Sequence, residues 1–96
     1  MLSFAYKEGD GVKITKRKQP RKYLQSADKN TCKKLNKAID GLLEWNGDII
    51  KLKGTDMYRL KIEHYRIGFK LDVMAETISV EIILPRGEFY KNVGRN

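Results

Sequence analysis

Residues 57–69 read MYRLKIEHYRIGF. Laid out as extended chain, the stretch divides into two faces. Tyr58, Leu60, Ile62, Tyr65, Ile67 and Phe69 fall on one, and Arg59, Lys61 and Arg66 on the other. Glu63-His64 supplies the turn, and a loop of two or four residues there gives the same register. Lys61 then stands opposite Arg66, Arg59 opposite Gly68, and Tyr58 opposite Phe69. Like charges directly opposite one another destabilise a strand pair, so stability alone does not account for Lys61 against Arg66. Gly68, with no side chain, leaves room beside Arg59 for something to approach the backbone.

The flanking sequence extends this hairpin in both directions. Residues 77–84, TISVEIIL, form a further strand with Ile78, Val80, Ile82 and Leu84 alternating against Thr77, Ser79, Glu81 and Ile83. A loop over residues 72–77 sets Ser79 beside Lys70, Glu81 beside Gly68 and Ile83 beside Arg66. Upstream, DIIKLKGTD (48–56) reads as a loop. SADKNTCKKLNKAIDGLLEW (26–45) is the clearest helix, because Cys32, Leu35, Ile39, Leu42 and Leu43 make one apolar stripe. Ser26 or Asp28 caps its start and Asn46-Gly47 stops it. KRKQPRKYLQ (16–25) is a shorter helix with Pro20 in its first turn and Thr15 as the possible cap. VKIT (12–15) is a short strand after an N-terminal arm, and the tail PRGEFYKNVGRN (85–96) ends in a turn of helix. The order strand, helix, helix, strand, strand, strand gives an α+β fold. A small antiparallel sheet carries the helix pair on one face, and its other face meets solvent or a ligand.

Bulk composition narrows the class. A chain of 96 residues makes one domain, and 41% hydrophobic residues is globular rather than disordered. The net charge of +8 points to a polyanion or an acidic protein as partner. A single cysteine, Cys32, excludes an internal disulfide, fits a reducing compartment, and lies on the apolar stripe as core packing. MLSFAYKEGDG lacks the basic start of a signal peptide, and no apolar run approaches the roughly 20 residues that span a bilayer. The expectation is a soluble cytoplasmic protein without membrane association.

The cations gather into a candidate site. Arg59, Lys61 and Arg66, joined by Lys51, Lys53 and Arg86, form a basic surface suited to phosphate, with the arginine fork bonding two oxygens at once. Phe89 and Tyr90 stand close enough in sequence to Arg86 to stack on a base. Lys16, Arg17, Lys33 and Lys37 on the two helices are candidates for nonspecific phosphate contacts. Glu81 reads as a charge partner for Arg59 or Lys70, His64 as an exposed turn residue, and Trp45 as a core anchor.

KLKG, then YRLKI, then YRIGF, then a strand ending in PRGEFYK, resembles the RelE toxins of bacterial toxin–antitoxin pairs, in the RelE/ParE superfamily. The resemblance covers roughly residues 12 to 92 and leaves residues 1–11 as an N-terminal extension. It implies a small antiparallel sheet packed on two N-terminal helices. It also implies an endoribonuclease that cuts mRNA in the ribosomal A site and is silenced by an acidic antitoxin. Carried over by motif, the cations of the first hairpin strand fall on Arg59 and Lys61, that of the next strand on Arg66, and the late arginine and tyrosine on Arg86 and Tyr90. Arg59 stands where a lysine is often found, no histidine lies beside Tyr90, and the tail after Tyr90 is short.

The chemistry so implied needs no metal or other cofactor: the ribose 2′-OH attacks the adjacent phosphate and expels the 5′-oxygen. Arg59 and Arg66 would hold the phosphate. Lys61 would act as base, since crowding by two arginines favours its neutral form. Arg86 would steady the leaving oxygen or help protonate it, and Tyr90 would orient the 2′-OH or stack on the base. Two rival readings are a ParE-like toxin that poisons gyrase and a non-catalytic RNA-binding module.

Overall fold

The structure, a computed structural model, describes residues 12–93, so the expected N-terminal extension over residues 1–11 lies outside the described residues. The elements run β1 (Lys13–Lys16), α1 (Lys18–Ser26), α2 (Lys29–Asp40), β2 (Asp48–Lys51), β3 (Met57–Ile62), β4 (Tyr65–Asp72), β5 (Thr77–Pro85) and α3 (Arg86–Val93). They form one five-stranded sheet in the order β1-β5-β4-β3-β2. The α+β class and the helix pair on one face agree with the sequence reading. Two elements go beyond it. The DII stretch expected as loop is the short edge strand β2, antiparallel to β3, and the tail carries a full helix. β1 pairs parallel with β5, which makes the sheet mixed.

The helix face follows from the apolar stripe. Leu35, Ile39 and Leu42 are fully buried against Leu60, Ile67, Phe69, Ile78, Val80 and Ile83. Asp28 caps α2: its carboxylate accepts from the Thr31 amide at 2.8 Å, and chiefly this bond holds the carboxyl below its ordinary pKa. A 3-10 turn at Gly41–Glu44 follows, and Trp45 closes it in the left-handed region at φ 55°. The indole packs edge-on against Tyr58 and Phe69, which gives Trp45 the core role expected of it. Thr15 lies inside β1 rather than at a helix start; Arg17 takes the cap position of α1 without a side-chain cap.

Gln19 ties α1 to the sheet. β1 stops at Lys16, opposite Val80, and the Gln19 amide continues the ladder. Its Nε2 donates to the Ile83 carbonyl and its Oε1 accepts from the Ile83 amide, both at 2.8 Å. Gln19→Ala leaves two partly buried backbone groups unpaired. It should destabilise the fold by about 1–3 kcal/mol, read as a lower denaturant midpoint at unchanged slope.

The β3–β4 register is the one the alternation demands, with Lys61 opposite Arg66, Arg59 opposite Gly68 and Tyr58 opposite Phe69. β5 departs from expectation. Ser79 does lie beside Lys70, but Gly68 pairs with Ile82 and Arg66 with Leu84, across a bulge between Gly68 and Phe69. Glu81 is the extra residue, so the alternation changes phase there. Ile83 therefore enters the core opposite Ile67, while Ile82 and Leu84 turn to the face that carries the arginines. Glu81 pairs with neither Arg59 nor Lys70; it accepts from Ser79 Oγ at 2.6 Å and lies 3.9 Å from Arg17.

Candidate active site

The second face of the sheet is partly covered. α3 crosses it and lays Phe89, fully buried, over Gly68. A Cβ on Gly68 would stand 3.2 Å from the Phe89 ring and 3.0 Å from Ile82 Cγ2. The space that Gly68 leaves open is thus taken by this chain's own phenylalanine. Phe89, expected as a base-stacking aromatic, is instead the residue that docks α3. The amide of Arg86, donating to the His64 carbonyl at 2.8 Å, fixes the start of the helix to the β3–β4 turn.

Beside this contact lie two buried arginines, Arg59 at 8% and Arg66 at 5% exposure. Each is tethered at one end of its fork. Arg59 NH2 donates to the backbone carbonyl of Asp48 at 3.1 Å and to its carboxylate at 3.0 Å. Arg66 NH1 donates to the carbonyls of Glu63 and Tyr65, both at 2.9 Å. Glu63 is held in turn by Lys34 of α2 at 2.9 Å, a bond that chiefly raises the lysine pKa. The Nε of each arginine is buried without a hydrogen-bond partner. Burying a cation with donors unmade is costly, and an anion that receives those donors would offset the cost.

Tyr90 lies close to both arginines: burial pushes its phenol pKa up, but hydrogen bonding and charge from the Arg59 and Arg66 side chains outweigh it, and the net direction is down. The Arg86 guanidinium stacks over the Tyr90 ring, 5.9 Å from its centroid. Lys61, exposed, stands across the ladder from Arg66. Arg59, Lys61, Arg66, Arg86 and Tyr90 are therefore brought to one face.

The remaining cations are not gathered there. Lys51 pairs with Tyr58 on the helix side of the sheet and donates to the Thr55 carbonyl. Lys16 lies opposite the core residue Val80. Lys33 and Lys37 are exposed on α2, which packs on the helix side. Lys53 is exposed in the turn before β3. Arg17 stays near the second face, paired with Glu81. Asp48, which tethers Arg59, went unnoticed in sequence because it sits in a stretch without alternation.

These elements define a class: a small α+β protein whose sheet holds two buried arginines on the face that α3 crosses. Among solved structures, the chain is similar to a chain of the archaeal RelE–RelB complex from Pyrococcus horikoshii OT3. The two are 28% identical with a TM-score of 0.67, over 80% of this chain and 97% of that one. It is also similar to the RelB–RelE antitoxin–toxin complex from Methanococcus jannaschii, at 25% identity and TM-score 0.65 over 82% and 98%. The isolated RelE toxin of E. coli aligns at 20% identity and TM-score 0.66 over 84% and 93%. No family model matches the chain, and no curated relative matches it either. The chain has a RelE-type toxin fold.

Proposed function

We propose that this protein is the toxin of a type II toxin–antitoxin pair and that it cuts mRNA in the ribosomal A site. The observation that carries the reading is the buried arginine pair with its unpartnered Nε groups. Two preorganised cations in a site with little water suit a phosphate that gains charge in the transition state. In the reaction the 2′-oxygen forms a bond to phosphorus and the bond from phosphorus to the 5′-oxygen breaks. Arg59 and Arg66 bind the phosphate oxygens. Lys61 takes the proton of the 2′-OH, Tyr90 orients that hydroxyl, and Arg86 steadies the leaving 5′-oxygen and helps deliver to it the proton that makes it a hydroxyl. The products are a 2′,3′-cyclic phosphate and a 5′-hydroxyl. An acidic antitoxin is the partner that complements a chain of charge +8. That the similar structure from Methanococcus jannaschii is an antitoxin–toxin complex supports this pairing.

Primer extension on an mRNA under translation tests the reading. Cuts that depend on the protein, with cyclic phosphate ends, are expected, and a control without ribosomes reports whether they are required. Gyrase inhibition without cuts would replace this reading with the ParE-like one, and RNA binding without cuts would leave a non-catalytic module.

A further inference from the structure

Asp48 reaches Arg59 by a route that only glycine permits. Gly47, just before it, holds φ at 115°, in the left-handed region. A Cβ on Gly47 would stand 2.6 Å from Leu60 Cδ1, so the chain passes directly over the neighbour of Arg59. β2 then begins, with Asp48 opposite Lys61 and Ile50 opposite Arg59. Residues opposite one another share a face, and a diagonal neighbour lies within reach of a long side chain. From that diagonal position the carboxylate and the carbonyl of Asp48 both accept from Arg59 NH2, at 3.0 and 3.1 Å. The pair is unequal in its surroundings: the Arg59 side chain is 10% exposed and that of Asp48 58%. Water screens the carboxylate, so as an ion pair it contributes little to stability, and it repels an incoming anion only weakly. Its effect is on the guanidinium, whose plane it fixes while Nε stays buried and without a partner.

We propose that Asp48 is a positioning residue for the cleavage reaction: by holding NH2 of Arg59 it orients the guanidinium before substrate arrives, so that the remaining donors meet the phosphate as its charge develops. This rests on the reading of Arg59 as a phosphate ligand. Without the carboxylate, Arg59 keeps its charge and one tether, the Asp48 carbonyl, but its plane is no longer fixed. Charge governs attraction of the ground-state strand, and that is undiminished. Orientation matters most in the transition state, where the donors must already point at the developing oxyanion. The signature of such a role is a fall in kcat without a rise in KM.

A double-mutant cycle on the full chain, read by cleavage of translated mRNA, tests this. Asp48→Ala should lower kcat about tenfold, the worth of one charge-assisted hydrogen bond, with KM unchanged or lower. Asp48→Asn keeps an acceptor in place and should recover part of the loss. In an Arg59→Ala background, Asp48→Ala should change the residual rate by less than about twofold, because the group it positions is gone. If Asp48 served only the edge strand, its removal would cost the same factor in both backgrounds, and that result overturns the inference. So does a wild-type kcat in Asp48→Ala, or a loss confined to KM. The Arg59 Nε–Hε signal in a proton–nitrogen spectrum, assigned by its absence in Arg59→Ala, separates this inference from the reading beneath it. The signal should broaden in Asp48→Ala, and in the wild type it should shift when a single-stranded DNA hexamer, which lacks the attacking hydroxyl, is added to saturation. A signal as sharp in Asp48→Ala as in the wild type overturns the inference and leaves the phosphate site standing. A wild-type signal that the hexamer does not move means that Arg59 holds no phosphate, and the proposed function then loses that residue together with the role of Asp48.

Discussion

Replacing Arg66 with alanine should lower the rate of RNA cleavage about 100- to 1000-fold, the loss that follows removal of one preorganised donor to a developing oxyanion. The protein should stay folded. One end of the Arg66 fork is spent on the hairpin, donating to the Glu63 and Tyr65 carbonyls, and this aims the other end at the slot shared with Arg59 and Tyr90. Losing those bonds costs about 1 kcal/mol, because Glu63 lies at an exposed turn where water takes the place of the donor. Relief of the like charge facing Lys61 offsets part of that cost. Arg66→Lys keeps the charge but cannot reach two carbonyls and an anion with one fork, so its activity should fall between the two. The check is a primer-extension rate beside a melting curve for each variant. An alanine variant that cuts at the wild-type rate with a wild-type melting curve removes Arg66 from the mechanism.

The β3–β4 hairpin was legible because its two signals agree: a strict period of two and a turn with only two compatible lengths, which share one register. The stripe of α2 was legible for the same reason, since Leu35, Ile39 and Leu42 leave one helical solution. β5 was not. In TISVEIIL both phases carry branched apolar residues after Val80, so nothing in the pattern marks where the phase changes. The bulge at Glu81 is fixed by packing instead: Phe69 and Ile67 both need a core partner, and only one extra residue lets Val80 and Ile83 serve them. β2 escaped notice because four residues with two adjacent isoleucines show no alternation. At the site, sequence placed Arg59, Lys61 and Arg66 on one face but could not say that the arginines would be covered. Their burial comes from α3, an element whose apolar signal amounts to Phe89 and little more. Lys51 was misplaced because its stretch was read as loop, and one residue of strand phase sends its side chain to the opposite face.

Because so much depends on that one phenylalanine, Phe89→Ala should have the largest effect on the structure. Truncating a fully buried phenylalanine costs about 3–5 kcal/mol when the whole fold must bear it. α3 is only eight residues long and ends the described chain, so it can leave the sheet while the main core of Leu35, Ile39, Ile67 and Phe69 stays intact. The loss should therefore appear as fast hydrogen exchange at the α3 amides with a smaller drop in the global midpoint. Gly68→Val attacks the same contact from below. Its Cβ would stand 2.5 Å from Met57 Cε, a flexible end that can move aside, but also 3.0 Å from Ile82 and 3.2 Å from the Phe89 ring, which cannot both give way. Tyr90 follows Phe89 in the chain, so either variant carries its hydroxyl away from Arg59 and Arg66. Cleavage should fall with α3 undocked, while the arginines keep their tethers to Asp48 and the hairpin. Protected α3 amides together with undiminished cleavage in Phe89→Ala would mean that something other than this ring holds the helix in place.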